Sequence, residues 1–326
     1  MINPNMKLND ALLDPEVAQE PIRSGFGRGL LTAGERNDQI VALCADLTDS
    51  TKMTAFAKAF PERFVEVGVA EQNLVTVASG MAMMGKIPFT SSYAAFSPGR
   101  NWEQIRTTIC LNEANVKIVG SHAGVSVGPD GATHQMLEDI ALMRVLPHMT
   151  VVVPCDAKEA EKATLAIAEL NGPAYLRLAR EKSPVITSDE TPFELGKVQV
   201  FREGADVTLV ACGIMVHEAL LAAQELANQG VEAEVINCPS IKPLDHEGLL
   251  ASIKKTGKVV TCEEGQVAGG LGGVVAELVA ENYPVPMRRV GMHDRFGESG
   301  KPHELLEHFG LTSPDIVKAV QELNSK

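Results

Sequence analysis

The chain has 326 residues, more than one typical domain, so we expect two domains. Its 45% hydrophobic and 22% charged residues are typical of a globular protein. A formal net charge of −13 argues against binding to nucleic acids or anionic membranes, although a pocket on such a protein can still be locally basic.

The cysteines and the apolar segments indicate a cellular location. The six cysteines form no C-x-x-C pair, and several lie in apolar runs, where buried free thiols of a reducing compartment are expected. The N-terminus has no basic region followed by an apolar core, and the longest apolar stretch is too short to span a bilayer. We therefore expect a cytoplasmic protein.

The predicted elements of the first part alternate between strands and helices. The first twenty residues are polar without a clear period and are interpreted as an N-terminal tail. Strands are predicted at IVALCADL, VKIVGSHA, TVVVPCD and AYLRLAR, and helices at AEQNLVTVASGMAMMG, HQMLEDIALMRVL and AKEAEKATLAIAELNG. Strands that are apolar throughout and separated by helices predict a parallel sheet covered on both faces.

A second series of elements follows a segment rich in Ser, Pro, Thr and Glu. It contains the strands ADVTLVACG, VEAEVINCP and KVVTCEEG, with the helices HEALLAAQELANQG and GLLASIKKTG between them. The fold class is therefore α/β with two doubly wound domains. We predict a first domain over 21–189, a linker over 190–200 and a second domain over 201–326.

Three motif-like segments are better explained by structure. Gly80 to Lys86 resembles a phosphate-binding loop, but it closes a helix and lacks the final Ser or Thr. His303 and His308 are five residues apart, so their imidazoles point about 140° apart around a helix and cannot share a zinc ion. The glycines at 269–273 lack dinucleotide-binding spacing and favour close helix–strand packing. No metal ligands are predicted in this chain.

Glu71 is the first candidate catalytic residue. It follows an apolar strand and begins a hydrophobic helix, where the helix dipole stabilises a carboxylate. Helix capping alone would explain it. Its neighbours are mostly apolar, however, and a buried carboxylate is suited to proton transfer.

Two further segments concentrate aromatic and titratable groups. Phe89, Tyr93 and Phe96 cluster in a chain with only 4% aromatic residues, which indicates either core packing or a stacking slot for a planar ring. The glycine-rich loop that follows VKIVGSHA then carries three titratable residues at the carboxyl end of a predicted parallel strand, where α/β sheets bind ligands. These are His122, Asp130 and His134.

These motifs together resemble the pyrimidine-binding domain of transketolases. E-Q-N from Glu71 is followed about sixty residues later by D-G-x-T-H-Q, a signature quite specific to transketolases and deoxyxylulose-phosphate synthases. Upstream, A-D-L-T-D-S over 45–50 is similar to a family segment, with Arg23 ahead of it and L-A-R over 178–180 further on. The second series resembles the transketolase C-terminal domain.

The resemblance implies thiamine diphosphate as the cofactor and a set of residues that bind it. A glutamate matching Glu71 holds N1′ of the aminopyrimidine, which favours the imino form that removes the thiazolium C2 proton. Phe89, Tyr93 and Phe96 lie in the segment that packs against that ring. Asp46 lies beside the cofactor pocket.

The resemblance also implies how a sugar would be held. His134 contacts the oxygens around the reacting carbonyl, and Asp130 holds a donor hydroxyl. The positions that match those binding the sugar phosphate are Arg23, Ser50, His122 and Arg180, and guanidinium groups suit a phosphate through bidentate hydrogen bonds.

One part of the transketolase pattern is missing from this sequence. The G-D-G motif that precedes an asparagine in the family, and that binds Mg²⁺ and the diphosphate, does not occur here. About twenty residues precede Arg23, too few for the domain that carries it. The resemblance therefore implies a partner, an N-terminal transketolase subunit that holds the diphosphate and Mg²⁺ in an α₂β₂ heterotetramer, and phosphorylated sugars as substrates.

Four alternatives stay open at this stage. The β subunit of a 2-oxo-acid dehydrogenase has the same layout but needs neither a phosphate clamp nor D-G-x-T-H-Q. A split deoxyxylulose-phosphate synthase is closer, although S-H-A-G and A-D-L-T favour transketolase. A non-catalytic assembly subunit would not need Glu71, Asp130 and His134 together. A transketolase for an unusual phospho- or sulfo-sugar would show a similar anion clamp.

Overall fold

The first domain is built on a parallel sheet that is buried on both faces. A computed structural model describes residues 1–325 of the chain. Its β-branched and apolar runs form strands at the predicted places, and β6, β7, β5, β4, β2 and β3 are parallel neighbours in that order. In chain order, the strands of this part are β1 (Gln19–Pro21), β2 (Ile40–Cys44), β3 (Phe64–Glu66), β4 (Ile87–Tyr93), β5 (Lys117–Ser121), β6 (Thr150–Val152), β7 (Ala174–Arg177) and β8 (Lys182–Pro184).

Helices cover both faces of this sheet. The apolar residues of α1, α2 and α6 pack on one face, and those of α3, α5 and the segment after α4 pack on the other. The helices are α1 (Ile22–Arg36), α2 (Thr54–Ala59), α3 (Glu71–Met83), α4 (Trp102–Gln104), α5 (Asp139–Arg144) and α6 (Ala157–Glu169), and a π-helical turn at Ile105–Cys110 continues α4. Short 3₁₀ turns lie at Pro4–Met6, Pro61–Arg63 and Val125–Val127.

The second domain repeats the architecture around a smaller sheet. Its strands lie in the order β14, β13, β10, β11 and β9, and only the pairing of β9 with β11 is antiparallel. The strands are β9 (Gln199–Arg202), β10 (Val207–Ala211), β11 (Ala233–Asn237), β12 (Ser240–Lys242), β13 (Val259–Gln266) and β14 (Met287–Met292). The helices are α7 (Met215–Asn228), α8 (His246–Thr256), α9 (Leu271–Asn282), α10 (Pro302–His308) and α11 (Ser313–Asn324).

The two domains share structure across their boundary. Strand β12 leaves the second domain and pairs antiparallel with β6, at the edge of the first sheet. The sequence did not predict this exchange, because a three-residue strand carries little periodic signal. The predicted range of 201–326 includes Lys326, which lies outside the described residues.

The first twenty residues differ from the predicted tail. Leu12 and Val17 are buried, and the backbone N–H of Asn3 donates to the carbonyl of Phe201 at 2.9 Å. Strand β1 pairs antiparallel with β8. The segment is polar because it lies on the surface of both domains, yet its few apolar side chains anchor it there.

The described helices give no sign of a membrane-spanning segment. Within residues 1–325, none is both long and apolar enough to cross a bilayer.

The glycines at 269–273 show the expected close packing, since a Cβ on Gly270 would lie 2.0 Å from a carboxylate oxygen of Glu263 on β13.

Glycines in α1 allow its close contact with α6. A Cβ on Gly25 would lie 1.8 Å from the carbonyl oxygen of Ala157, so Gly25→Ala would force the two helices apart. We expect this substitution to lower the free energy of unfolding by about 1–3 kcal/mol. Gly80→Ala is the matched control, because a Cβ there meets no atom within 4 Å. It should raise that free energy by about 0.5–1 kcal/mol. Urea denaturation of both variants measures the difference, and equal effects would contradict the packing argument.

Candidate active site

Most of the candidate residues lie where strands of the first sheet end. Asp46 and Ser50 follow β2, Tyr93 ends β4, His122 follows β5 and Arg180 follows β7. Because β7, β5, β4 and β2 are parallel neighbours, their carboxyl ends meet at one edge of the sheet. The fold therefore collects side chains that are far apart in the sequence.

An aromatic and imidazole cluster occupies the middle of this edge. The rings of Tyr93 and His122 are stacked, with centroids 3.8 Å apart, and Tyr93 also stacks against Phe96 at 5.9 Å. The imidazole of His134 meets both aromatic rings edge-on, at 6.2 Å from Tyr93 and 5.3 Å from Phe96. The structure thus joins two of the predicted ring-packing residues with two of the predicted sugar-binding histidines.

Phe89 and Asp46 lie outside this cluster. Phe89 is fully buried in the core between the sheet and α1, so it offers no ring face to a ligand. Its place among the cofactor-contacting residues is corrected accordingly. Asp46 is exposed in the loop after β2 with a φ of 59°, and its backbone N–H donates to the Glu66 carboxylate at 2.7 Å. Asp46 therefore shapes its loop, and within residues 1–325 no side-chain hydrogen bond or ion pair joins it to the cluster.

Glu71 lies at the first position of α3 with only 5% of its surface exposed. Nη1 of Arg100 lies 3.2 Å from each of its carboxylate oxygens. The same guanidinium lies over the ring of Phe96, 4.1 Å from its centroid. The amide of Asn101 donates to the Glu71 carbonyl at 2.8 Å and fixes the start of the helix. Glu71 is thus a buried carboxylate beside an aromatic ring, with a planar cation between them.

A second group of cations lies at the other side of the cluster. Nε of Arg23 donates to the Arg180 carbonyl at 3.1 Å, and its Nη1 donates to the Ser50 carbonyl at 2.5 Å. Burial, and then the charge of Arg180, lower the pKa of Arg23. Arg180 has one acidic neighbour, Glu181 at 3.4 Å. The charge of Arg180 acts on Arg23 across a short distance, and a pair of guanidinium groups arranged in this way suits an anion.

His122 is buried between the cations and the aromatic rings. Only 2% of its surface is exposed, and burial, followed by the charges of Arg23 and Arg180, lowers its pKa to about 3. Its Nδ1 lies 2.9 Å from the hydroxyl of Ser121, and its φ of 57° is in the left-handed region. The imidazole is therefore neutral at physiological pH, and it can contribute a hydrogen bond to an anion without adding charge.

Asp130 lies at the rim of the site. It is exposed in the loop that leads to His134, and its carbonyl accepts from the Thr133 hydroxyl at 3.5 Å. Nδ1 of His134 lies 2.9 Å from that hydroxyl, so the loop orients the imidazole toward the aromatic rings. No hydrogen bond joins the Asp130 carboxylate to the cluster among residues 1–325, which leaves it available to solvent.

Two functional candidates were missed from the sequence. Arg100 follows Phe96 by four residues, and its position is set by the turn that ends in S-P-G-R. Lys52 has a φ of 66°, and its side chain makes no hydrogen bond or ion pair within residues 1–325. Lys52 lies against Gly27, the residue of α1 that is one helical turn after Arg23. The charge of Lys52 also lowers the pKa of His122. A count of basic residues near Ser50 would have drawn attention to Lys52.

The described part of the chain has no cluster that suits a metal ion. Within residues 1–325, no three His, Cys, Asp or Glu side chains are placed to hold one together. His303 and His308 on α10 have separate surface partners, Glu307 at 3.0 Å and Glu298 at 3.7 Å. The helix pattern H-E-x-x-x-H is thus explained by surface contacts with carboxylates.

Comparison with protein families accounts for nearly the whole chain. The family model of the transketolase pyrimidine-binding domain matches residues 19–185. That of the transketolase C-terminal domain matches residues 196–316. The predicted fold class, with two α/β domains, is confirmed.

Individual relatives of similar length are also known. The chain is 47% identical over 297 residues to the 6-deoxy-6-sulfo-D-fructose transketolase subunit SqwH of Clostridium sp., with 91% of this chain and 92% of the relative covered. It is 44% identical over 305 residues to a putative transketolase C-terminal section of Methanocaldococcus jannaschii, with 92% and 95% covered. A solved structure titled as a split gene transketolase, inactive beta4 tetramer, is 49% identical, with a TM-score of 0.88 and 94% and 98% covered.

The buried neutral His122 predicts a pH dependence of stability. The folded chain keeps its pKa at about 3, whereas an unfolded chain protonates a histidine near pH 6.5. The unfolded state therefore binds more protons between these values, and the free energy of unfolding falls as the pH is lowered from 6.5 toward 3. His122→Asn should remove this contribution, so the stability difference between wild type and variant should shrink from pH 7 to pH 5.

Denaturant unfolding at several pH values measures this difference. His148→Asn, at a half-exposed position away from the cluster, is the control for the substitution itself. A difference between wild type and His122→Asn that stays constant from pH 7 to pH 5 would contradict the buried neutral imidazole.

Proposed function

The chain belongs to the transketolase family, and from that premise we propose that it is the cofactor-activating subunit of a split transketolase. With a partner subunit, it transfers a two-carbon ketol unit between ketose and aldose sugars that carry a terminal oxyanion. The observation that carries the proposal is that two features lie at one edge of the sheet. One is the buried carboxylate of Glu71 beside the ring of Phe96, and the other is the group of cations around Arg23, which suits an anion.

The residues around Glu71 fit the aminopyrimidine of thiamine diphosphate. The guanidinium of Arg100 lies on Phe96 and donates to the Glu71 carboxylate, which means that a planar group with N–H donors fits between the two. An aminopyrimidine is also planar, and protonation of a ring nitrogen gives it an N–H donor toward a carboxylate. When bound, thiamine diphosphate supplies the carbanion chemistry of ketol transfer. Glu71 would hold its pyrimidine nitrogen, and Phe96 and Tyr93 would pack against the ring.

The other side of the cluster would hold the sugar. His134 lies between Phe96 and Tyr93, where its Nε2 can hydrogen-bond the oxygens of the reacting carbons. Asp130 would accept a hydrogen bond from a sugar hydroxyl at the rim. Arg23, Arg180 and the neutral His122 would bind the terminal oxyanion, and together they are called the anion clamp. The Ser50 segment would close this site. The rings of Tyr93 and His122 lie between the anion clamp and Glu71. The distance between these two sites would therefore select the length of the sugar.

The terminal group is a tetrahedral oxyanion, either phosphate or sulfonate. Both present three oxygens to guanidinium groups, and a relative at 47% identity is named for a sulfo-sugar. A 2-oxo-acid substrate has no terminal oxyanion of this kind, so the cation group favours ketol transfer over 2-oxo-acid oxidation.

A partner subunit is supported by the exposed face of α3. Val69, Met83 and Met84 are exposed at the two ends of the helix, and between Gln72 and Gly85 no residue is charged. Uncharged exposed faces of this length are typical of subunit interfaces. The face begins beside Glu71, so a subunit docked along it would close the cofactor site. The G-D-G motif that this sequence lacks would come from that subunit, together with the Mg²⁺ it binds.

The proposal is tested by reconstitution with the transketolase N-terminal subunit of the same organism. The complex, supplied with thiamine diphosphate and Mg²⁺, should transfer ketol units to aldoses with a terminal phosphate or sulfonate, and this chain alone should show negligible transfer. A panel of matched phosphate, sulfonate and unsubstituted sugars identifies the terminal group. Full activity of this chain alone, or a preference for unsubstituted sugars, would contradict the proposal.

Glu71→Gln separates catalysis from assembly. The amide keeps the shape of the side chain but loses the charge that holds the pyrimidine nitrogen. Turnover of the reconstituted complex should therefore fall by about 10²-fold or more, while gel filtration shows the same assembly as the wild type. Unchanged turnover would favour a non-catalytic role for this chain.

A further inference from the structure

Glu264 of the second domain reaches across the domain boundary to the edge of the active site. It lies on β13, its side chain is 1% exposed, and its Oε2 accepts the backbone N–H of Ser126 at 3.2 Å. Ser126 is in the 3₁₀ turn Val125–Val127, which follows the His122 segment. A carboxylate of the second domain thus binds a backbone group of the catalytic domain.

The sequence around this contact leaves room for the carboxylate. A Cβ on Gly124 would lie 2.3 Å from the carboxyl carbon of Glu264, and Gly124 has a φ of 90°. Only glycine fits this approach and this backbone conformation. Gly124 therefore lets Glu264 lie directly beneath the turn.

Glu264 is itself held by a buried ion network. Nη2 of Arg177 donates to the Glu264 carbonyl at 3.0 Å, and its Nη1 lies 3.7 Å from Oε1 of Glu264. Nε of Arg177 donates to Asp139 at 2.9 Å, and the Tyr175 hydroxyl donates to the same carboxylate at 2.8 Å. All four side chains are buried, so each charge depends on the others and the carboxylate has little freedom to move.

The far end of the turn binds the anion clamp. The carbonyl of Val127 accepts from Nη1 of Arg180 at 2.7 Å. Gln135 holds the two sides of the turn, because its amide nitrogen lies 3.1 Å from the backbone carbonyl oxygens of Val125 and Gly128 and shares its two hydrogens between them and the backbone carbonyl of Glu298 in the second domain, at 2.8 Å. The orientation of the Arg180 guanidinium therefore depends on a turn that the second domain fixes.

We propose that Glu264 is a positioning residue for the terminal oxyanion of the substrate, acting through the Val125–Val127 turn on Arg180. The inference rests on the proposed function. It gives the second domain a role at the active site: it aligns the anion clamp without touching the substrate. Glu264 lies on the clamp side of the site and touches neither Glu71 nor His134, so it affects sugar affinity and leaves the cofactor chemistry unchanged.

A double-mutant cycle with Arg180 tests this role in the reconstituted complex. Glu264→Ala should raise KM for a phosphorylated aldose about 5–20-fold, with kcat and the KM of the unsubstituted aldose within two-fold of wild type. Glu264→Gln keeps an acceptor for the Ser126 N–H and should restore most of the lost affinity. In an Arg180→Met background, Glu264→Ala should add no further increase, because the two residues act as one unit.

Binding of inorganic phosphate to this chain, followed by ³¹P line broadening, gives a readout that needs no turnover. Weaker binding by Glu264→Ala, and equal binding by Arg180→Met with and without Glu264→Ala, would support the proposal even in a complex that transfers no ketol unit. Additive effects of the two substitutions, equal losses on both aldoses, or unchanged phosphate binding by Glu264→Ala would overturn it. Thermal unfolding of Glu264→Ala, compared with Glu264→Gln and the wild type, checks that the effect is not loss of folding.

Discussion

The guanidinium of Arg177 is buried between the two domains, and much of the site depends on it. Arg177 is the last residue of β7, at the edge of the sheet that carries the site. Its guanidinium pairs with Asp139 of its own domain and with Glu264 of the other. Breaking such a buried pair costs about 3–5 kcal/mol, because a charge is left in the core without a partner. The relative position of the domains is fixed by this requirement and by strand β12, which crosses to the first sheet.

The site built on this edge is closed on one side and open on the other. The second domain closes the side of the proposed anion clamp, through the carboxylate of Glu264 and the backbone carbonyl of Glu298 that Gln135 contacts. On the other side, Glu71 has Arg100 as its ionic partner, and the Arg100 side chain is 51% exposed. The uncharged face of α3 continues from Glu71 along that open side. The asymmetry agrees with a chain that contributes its own half of a shared site and leaves the other half to a partner subunit.

The sequence predicted the parts of this structure that local patterns determine. Buried runs indicated strands, and the position after a predicted parallel strand placed His122 at a ligand-binding edge. Tyr93 was named for its aromatic neighbours, and Arg180 only through the family resemblance. Phe89 was misplaced because it shares a face of β4 with Tyr93 but lies four residues earlier, about 13 Å along the strand and inside the core. Arg100 and Glu264 could not be found this way, since their roles depend on a turn and on contacts between domains. In the sequence, Glu264 is part of an ordinary buried strand. Its contact with the first domain becomes visible only when the two domains are seen together.

A calorimetric titration of thiamine diphosphate with Mg²⁺ tests the shared site most directly. It would be carried out on this chain, on its mixture with the N-terminal subunit, and on mixtures containing Met83→Glu or, as a control, Tyr283→Glu in the second domain. The account predicts tight binding in the wild-type and Tyr283→Glu mixtures, and negligible binding to this chain alone and in the Met83→Glu mixture. Tight binding of the cofactor to this chain alone would contradict it.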